Sequence, residues 1–301
     1  MDGRISNLSE ICYIKRYTLT GGKEDGLKVF EINNGILRFT VNESKAFDIM
    51  QLWHKGENVS FVSKNGFTSE TTVAYNRRFE GGMLYTVGLD SVGERVGFDT
   101  HGSFHNIPAK VISAVCTEEK IEVVSEVEDT ALFGKNLVMI RKISTALNSD
   151  TLTVEDSLVN RGSKDEEYCL LYHINLGYPM LDDGVKVLYD GKIILPRTNL
   201  AAERINEAHT FLPPVDSEEE RCYFIENEEP CVTVVNEKLN KTFILDYSKD
   251  TLPEIVLWQS NASGDYALGL EPTTTFLDDK FKYCVIKTGE TKVNKINITV
   301  K

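Results

Sequence analysis

Apolar and polar residues alternate with period two along much of the chain. Leu37, Phe39 and Val41 share one face of an extended segment, and Ile121, Val123 and Ser125 alternate with Glu122, Val124 and Glu126. Successive side chains of a strand point to opposite faces, so this period predicts strands with one side on a core. Turn clusters such as Asn148-Ser149-Asp150, Asn160-Arg161-Gly162-Ser163 and Asp182-Asp183-Gly184 separate the runs at the spacing of short antiparallel connections. Residues 137–159 read as a hairpin whose arms are 137–147 and 151–159. Helical signals are few, and the best of them is the short stretch 200–208. An acidic run, Asp216-Ser217-Glu218-Glu219-Glu220, follows Pro213-Pro214 and reads as a solvated loop. No repeat, low-complexity stretch or linker interrupts the pattern. The expected architecture is therefore all-β, a large antiparallel β-sandwich formed by residues 1–301 as one domain.

Composition narrows the classes of function. A hydrophobic content of 41% with 26% charged residues suits a globular chain with a real core. Lys and Arg total 33 against 46 Asp and Glu, and the resulting net charge of −13 repels a phosphate backbone, so nucleic acid is not an expected partner. The opening residues Met1-Asp2-Gly3-Arg4-Ile5-Ser6 lack the order of a signal peptide, and no apolar run reaches membrane-spanning length. A cytoplasmic protein with no membrane partner is the expectation. The six cysteines form no C-x-x-C pair and read as small buried hydrophobes, their free thiols suited to a reducing compartment.

Sequence-local cofactor signatures are missing, including a Walker A loop, G-x-G-x-x-G, H-E-x-x-H and G-x-S-x-G. His101 and His105 stand four apart, but Gly102 and Pro108 oppose a helix there. In an extended chain that spacing is roughly 13 Å, too far for one ion, so no metal is expected. His54 and His209 lie in polar surroundings and read as surface residues. His173 is different, because it falls within the apolar run 169–176. Glu271 likewise ends the apolar stretch Tyr266-Ala267-Leu268-Gly269-Leu270 and precedes Pro272. A carboxylate buried there must be paired or have its pKa raised, and a raised pKa is what a general base near neutrality needs. Histidines and a tunable carboxylate together are suited to general acid and base catalysis.

Four motifs carry a resemblance. They are Gly81-Gly82-Met83-Leu84-Tyr85-Thr86-Val87-Gly88-Leu89, with Met83 as its one departure, then His101 to Ala109, His173 to Pro179, and Leu270 to Thr274. In this order they resemble the aldose 1-epimerase (galactose mutarotase) superfamily, and more closely its bacterial branch of unknown function. The resemblance implies a supersandwich with a small-molecule carbohydrate in an open cleft on a concave sheet and no cofactor; a homodimer is left open. It implies Glu271 as the base that takes the anomeric proton, His173 as the acid that protonates the ring oxygen, and His101 as a hydrogen-bonding partner of the sugar. Either Arg77 or Arg78 would contact the sugar. Asn175 belongs to the second histidine motif and is carried over as a cleft residue. Trp258 would stack on the ring or sit in the core or rim, and His105 would line the cleft or merely neighbour it. Glu80 stands where the superfamily's hexose-6-phosphate epimerases read Arg, which disfavours a phosphorylated substrate. The family's clamping aspartate has no evident counterpart between residues 190 and 240. The resulting expectation is an aldose 1-epimerase-like isomerase for an unphosphorylated sugar or sugar derivative. The alternative is a non-catalytic carbohydrate-binding or regulatory protein on the same scaffold. A glycoside hydrolase would need a second carboxylate opposite Glu271.

Overall fold

The alternating runs form strands of two antiparallel sheets. In the computed structural model, which describes residues 3–301, the smaller sheet has five strands in chain order. They are β1 (Tyr13–Thr18), β2 (Lys28–Asn33), β3 (Leu37–Asn42), β4 (Asp48–His54) and β5 (Glu57–Asn58). Met1 and Asp2, the first residues of the signal-peptide reading, lie outside the described residues.

The larger sheet takes the rest of the chain. It contains β6 (Tyr85–Leu89), β7 (Lys110–Cys116), β8 (Ile121–Thr130), β9 (Asn136–Thr145), β10 (Thr151–Asn160), β11 (Glu166–Leu176), β12 (Lys186–Pro196) and β13 (Arg221–Asn236). It continues with β14 (Lys241–Tyr247), β15 (Glu254–Ser260), β16 (Ala267–Thr273), β17 (Cys284–Ile286) and β18 (Thr291–Val300). Its main path runs β17, β11, β16, β15, β13, β14, β18, β10, β9, β8, β7, with β6 added on β11 and β12 on β13. The expected hairpin is β9 with β10, in the register Leu137 to Asn160 and Thr145 to Leu152. Asn148 in its turn has φ 56, a left-handed conformation that asparagine tolerates. Among the described residues α-helix is confined to α1 (Tyr75–Arg78) and α2 (Asn199–Glu203), the latter capped by the Thr198 hydroxyl, which accepts from the Ala201 N–H.

Phe30, Phe39 and Val41 of the small sheet pack in one hydrophobic cluster with Met139, Leu152 and Ile298 of the large one. Each such buried side chain contributes roughly 1.5–3 kcal/mol relative to exposure. Set within this core is a group of buried charges. Asp48 on β4 accepts from the Thr86 N–H at 2.8 Å and from its hydroxyl at 2.5 Å, both on β6, and from Arg141 Nη1 on β9 at 2.5 Å. Arg141 also donates through Nε and Nη2 to Asp156 on β10, at 2.9 and 2.6 Å. The Tyr172 hydroxyl of β11 donates to that same carboxylate at 2.7 Å. One hydrogen-bonded unit thus ties β4 to β6, β9, β10 and β11.

Two expectations need correction or refinement. His54, read as a surface residue, is buried at the end of β4, because the β9 to β10 turn brings the Asp150 carboxylate to 3.0 Å from its ring. His209 is exposed and stacks on Tyr189. Cys12, Cys169 and Cys222 are buried, and the other three cysteines are partly so. Cys12 and Cys116, far apart in sequence, bring their sulfurs to 3.7 Å. Among the described residues no helix is long and apolar enough to cross a membrane.

Arg141→Met leaves Asp48 and Asp156 buried without their shared cation. It should lower stability by about 3–5 kcal/mol, the usual cost of breaking a buried ion pair from one side. Denaturant titration checks this, and a loss under about 1 kcal/mol would mean that the cluster contributes little. The parent chain should unfold in one cooperative transition, and a proteolytic cut yielding two stable halves would contradict that.

Candidate active site

Strand register builds the site. β11 lies antiparallel to β16 with Ile174 opposite Leu270 and Asn175 opposite Gly269, which brings His173 beside Glu271. Their side chains meet with His173 Nε2 3.1 Å from Glu271 Oε1. β15 follows on the other side of β16 with Trp258 opposite Gly269, so three neighbouring strands present a histidine, a carboxylate and an indole together. The glycine makes the space. A Cβ at residue 269 would stand 2.8 Å from Glu271 Oε1, 3.0 Å from His173 Cε1 and 3.1 Å from Trp258 Cε3. The first approach is closer than Cβ atoms sustain and the other two are tight, so any side chain there would shift the Glu271 carboxyl from its place beside His173.

His101 arrives from a loop. Its φ of 64 is rare for a residue with a side chain and is held by three bonds. Its N–H donates to the Gly93 carbonyl at 2.9 Å, its carbonyl accepts from the Gly88 N–H at 3.1 Å, and its Nδ1 accepts from the Gly93 N–H at 3.3 Å. A ring whose Nδ1 accepts carries its hydrogen on Nε2 when neutral, so His101 has a donor left for the cleft. The His101 and His173 rings lie edge to face at 6.1 Å. Tyr75 packs on His101 at 5.1 Å, and Phe79 packs on His173 at 5.4 Å.

These residues line a cleft of about 130 Å³. Its rim is charged. Arg197, just beyond β12, donates from Nε to Asp278 Oδ2 at 2.5 Å and brings Nη1 to 3.6 Å from Glu220 Oε1. Glu220 Oε2 in turn accepts the Trp258 indole N–H at 2.8 Å, which fixes that ring.

Inside the rim the groups are neutral. Burial, with the neighbouring His101 adding to it, holds His173 down to about 3. Burial, assisted by the charges of Arg197 and Arg78, holds His101 down to about 4. Glu271 is pushed well above the usual carboxylate range by burial and by Glu220, with Arg197 opposing. Among the described residues Glu271 has no cation closer than the rim, an arrangement that favours a proton on its carboxyl with His173 as the acceptor. His173 Nδ1 is buried without a partner. Among the described residues no group of three or more His, Cys, Asp or Glu is placed to hold a metal ion.

The structure therefore gathers His101, His173, Glu271 and Trp258, and separates the other candidates from them. Arg78 is buried next to the site, with Nε on the Val73 carbonyl at 3.0 Å and its guanidinium over Tyr75. Arg77 is exposed and lines a different cavity of about 390 Å³ with Lys23 and Glu70. Neighbours on a one-turn helix point to different sides. Asn175 is buried and donates to the carbonyls of Gly82 at 2.9 Å and His173 at 3.0 Å, bracing the strand without lining the cleft. His105 is also off the cleft, against Asp48 at 2.6 Å. Glu80 is buried on Lys45 at 2.7 Å, so the position at which the resemblance places a phosphate epimerase's Arg holds a paired carboxylate here. The acidic run was read as solvated, yet its last residue, Glu220, is a cleft residue and the acidic one found there between 190 and 240. Arg197, Asp278, Tyr75 and Phe79 were missed, since nothing in their local sequence distinguishes them.

Comparison with solved structures places this architecture. A proposed aldose 1-epimerase from Klebsiella pneumoniae subsp. pneumoniae superposes with a TM-score of 0.87 at 20% identity, over 95% of this chain and 83% of that one. A galactose mutarotase-like protein from Clostridium acetobutylicum gives 0.67 at 13% identity, over 97% and 99%. Another from Lactobacillus casei gives 0.63 at 13%, over 91% and 100%. The fold is that of the galactose mutarotase-like β-sandwiches. By sequence, residues 24–300 match the domain of unknown function DUF4432, and the chain belongs to that family. No curated protein matches it by sequence.

Gly269→Ala should force the His173 and Glu271 side chains apart. The ring signals of His173 and the indole signal of Trp258 should shift in NMR spectra while those of His209 stay in place. Unmoved His173 and Trp258 signals would show that the space is not needed.

Proposed function

We propose that the chain is an isomerase of the aldose 1-epimerase type, interconverting the anomers of an unphosphorylated sugar or sugar derivative. The observation that carries this reading is the direct 3.1 Å contact between His173 and Glu271 in a cleft where His101 offers a further donor. The pair holds one mobile proton. Moving it from Oε1 to Nε2 turns the neutral resting pair into a carboxylate and an imidazolium with no change in net charge and no proton drawn from water.

The reaction then balances within the site. The Glu271 carboxylate takes the proton of the anomeric hydroxyl while the His173 imidazolium protonates the ring oxygen. The bond between C1 and the ring oxygen breaks, and C1 becomes a carbonyl. The pair is then back in its neutral resting form, with the open-chain sugar bound. After rotation about the C1 to C2 bond, His173 removes the proton of the chain hydroxyl as that oxygen attacks the other face of C1, and Glu271 returns its proton to the carbonyl oxygen. His101 Nε2–H steadies an oxygen of the sugar throughout, and the Trp258 face is available for stacking.

Two measurements test this. Glu271→Gln and His173→Asn should each reduce anomer exchange by about 10²- to 10⁴-fold, the usual contribution of positioned proton transfer, while largely keeping sugar affinity. His101→Asn should damage both. NMR exchange spectroscopy on a panel of freshly dissolved sugars reads the rates. Full exchange by Glu271→Gln would remove that residue from the reaction, and binding without exchange by the wild type would favour the non-catalytic carbohydrate-binding alternative. The pH profile follows from the proton count. Below about 3 His173 is also protonated and the pair holds two protons; above the raised value of Glu271 it holds none. Activity should thus persist well below pH 6.5 in the folded protein, and an acid limb near 6.5 would contradict the neutral pair.

A further inference from the structure

The geometry points to His105 as a positioning residue for this site: held charged between Asp48 and Glu80, it fixes Tyr85 and, through Tyr85, the aromatic wall behind His101 and His173. The inference rests on the proposed reaction for its catalytic readout, though not for its structural one.

The first support is a count of buried charge. Asp48, Glu80 and Asp156 are buried acids within one connected group, and Lys45 and Arg141 are its permanent cations. Three carboxylates against two cations leave one negative charge in the core, which is costly. His105 completes the balance. Its Nδ1 lies 2.6 Å from Asp48 Oδ2, and its Nε2 lies 3.4 Å from Glu80 Oε2, an ion-pair distance without good hydrogen-bond alignment. Acceptors beside both ring nitrogens suit an imidazolium, which has two N–H donors, rather than the neutral ring, which has one. Burial works against the charge, but the two carboxylates outweigh it and raise the pKa of His105.

The second support is a path of ring contacts. The Tyr85 ring stacks on His105 with centroids at 3.7 Å and planes 19° apart, as a ring face meets a cation. Tyr85 meets Phe79 edge-on at 5.2 Å and Tyr75 at 6.3 Å, the two rings that pack on His173 and His101. Tyr85 is also the strand partner of His173 in the pairing of β6 with β11. The groups facing His105 are thus Asp48 from β4, Glu80 from the segment before β6 and Tyr85 from β6, with Lys45 behind Glu80 and Arg141 behind Asp48.

The sign of the pH effect follows. A histidine whose folded pKa is raised contributes stability fully present below its unfolded value near 6.5 and lost as pH rises through the folded value. The site should loosen on the alkaline side.

NMR of ring-labelled histidine in the full-length protein should show both His105 nitrogens protonated at pH 7.5. His105→Gln should shift the His101 and His173 ring signals and lower kcat about ten-fold with KM changed less than about two-fold, as misplacement of catalytic groups does. Its alkaline limb attributable to His105 should vanish. The double variant His105→Gln, Glu80→Gln, which restores two acids to two cations, should recover most of the loss. If His105→Gln does not fold, Tyr85→Leu keeps the charges and removes the ring, and it should move the same two histidine signals. A neutral His105 at pH 7.5, or unmoved His101 and His173 signals in Tyr85→Leu, would overturn the inference. Absence of turnover with every sugar by the wild type would instead overturn the proposed function, and the NMR arm would still decide the role of His105.

Discussion

Asp48 is the residue on which the two sheets and the site jointly depend. It stands at the start of β4 in the small sheet, and its carboxylate receives the Thr86 N–H and hydroxyl, Arg141 and His105. A carboxylate removed from water needs this many donors to stay ionised, and the donors come from β6, β9 and the segment after His101. Such a group is more directional than apolar packing, which would tolerate small slips between sheets. Strand β6 is held by it at the one register that sets Tyr85 opposite His173.

Two buried polar systems lie side by side with opposite electrostatic solutions. Around Asp48, acids and cations alternate closely enough for the charged forms to persist. Around Glu271 the cations are kept back: Arg197 is engaged by Asp278, and Arg78 is engaged by the Val73 carbonyl and lies 3.2 Å from Asp99. Glu271 and His173 are left to neutralise each other by sharing a proton. The Tyr85 ring is the partition, with His105 on one face and the cleft aromatics at its edge. The buried charges and the His173 and Glu271 pair are thereby separated by one layer of side chain.

Much of this was legible along the chain, for reasons that also mark the limit. Period-two alternation exposed strands such as Leu37-Arg38-Phe39 because one face of each is buried. His173 and Glu271 were legible because each interrupts an apolar run, and a polar group in such a place needs an explanation. His105 interrupts nothing, and its partner Asp48 is 57 residues away on β4. Glu220 was disguised by its acidic neighbours, since composition describes a run and not the one member that turns inward. Glu80 was legible only as a departure from a motif, and its partner Lys45 lies 35 residues away in sequence. Gly269 was legible only as one member of an apolar stretch, and its reason is the close approach of three side chains from three strands.

The neutral pair also bears on the choice between turnover and binding alone. A protein that only holds a sugar needs donors, acceptors and a stacking face, all of which survive with ordinary pKa values. Burying a carboxyl and an imidazole away from compensating charge stabilises nothing. In the unfolded chain Glu271 would ionise and His173 would titrate near 6.5, so burying the pair costs the fold the hydration that favours their charged forms. A glutamine opposite an asparagine could hydrogen-bond a sugar in the same space without that cost. In the proposed reaction the glutamate and histidine add a proton that passes directly between two groups of different basicity 3.1 Å apart, and ring opening consumes and returns a proton at two oxygens of one sugar. The proposed proton transfer gives that loss of stability a reason, whereas sugar binding alone would not require it.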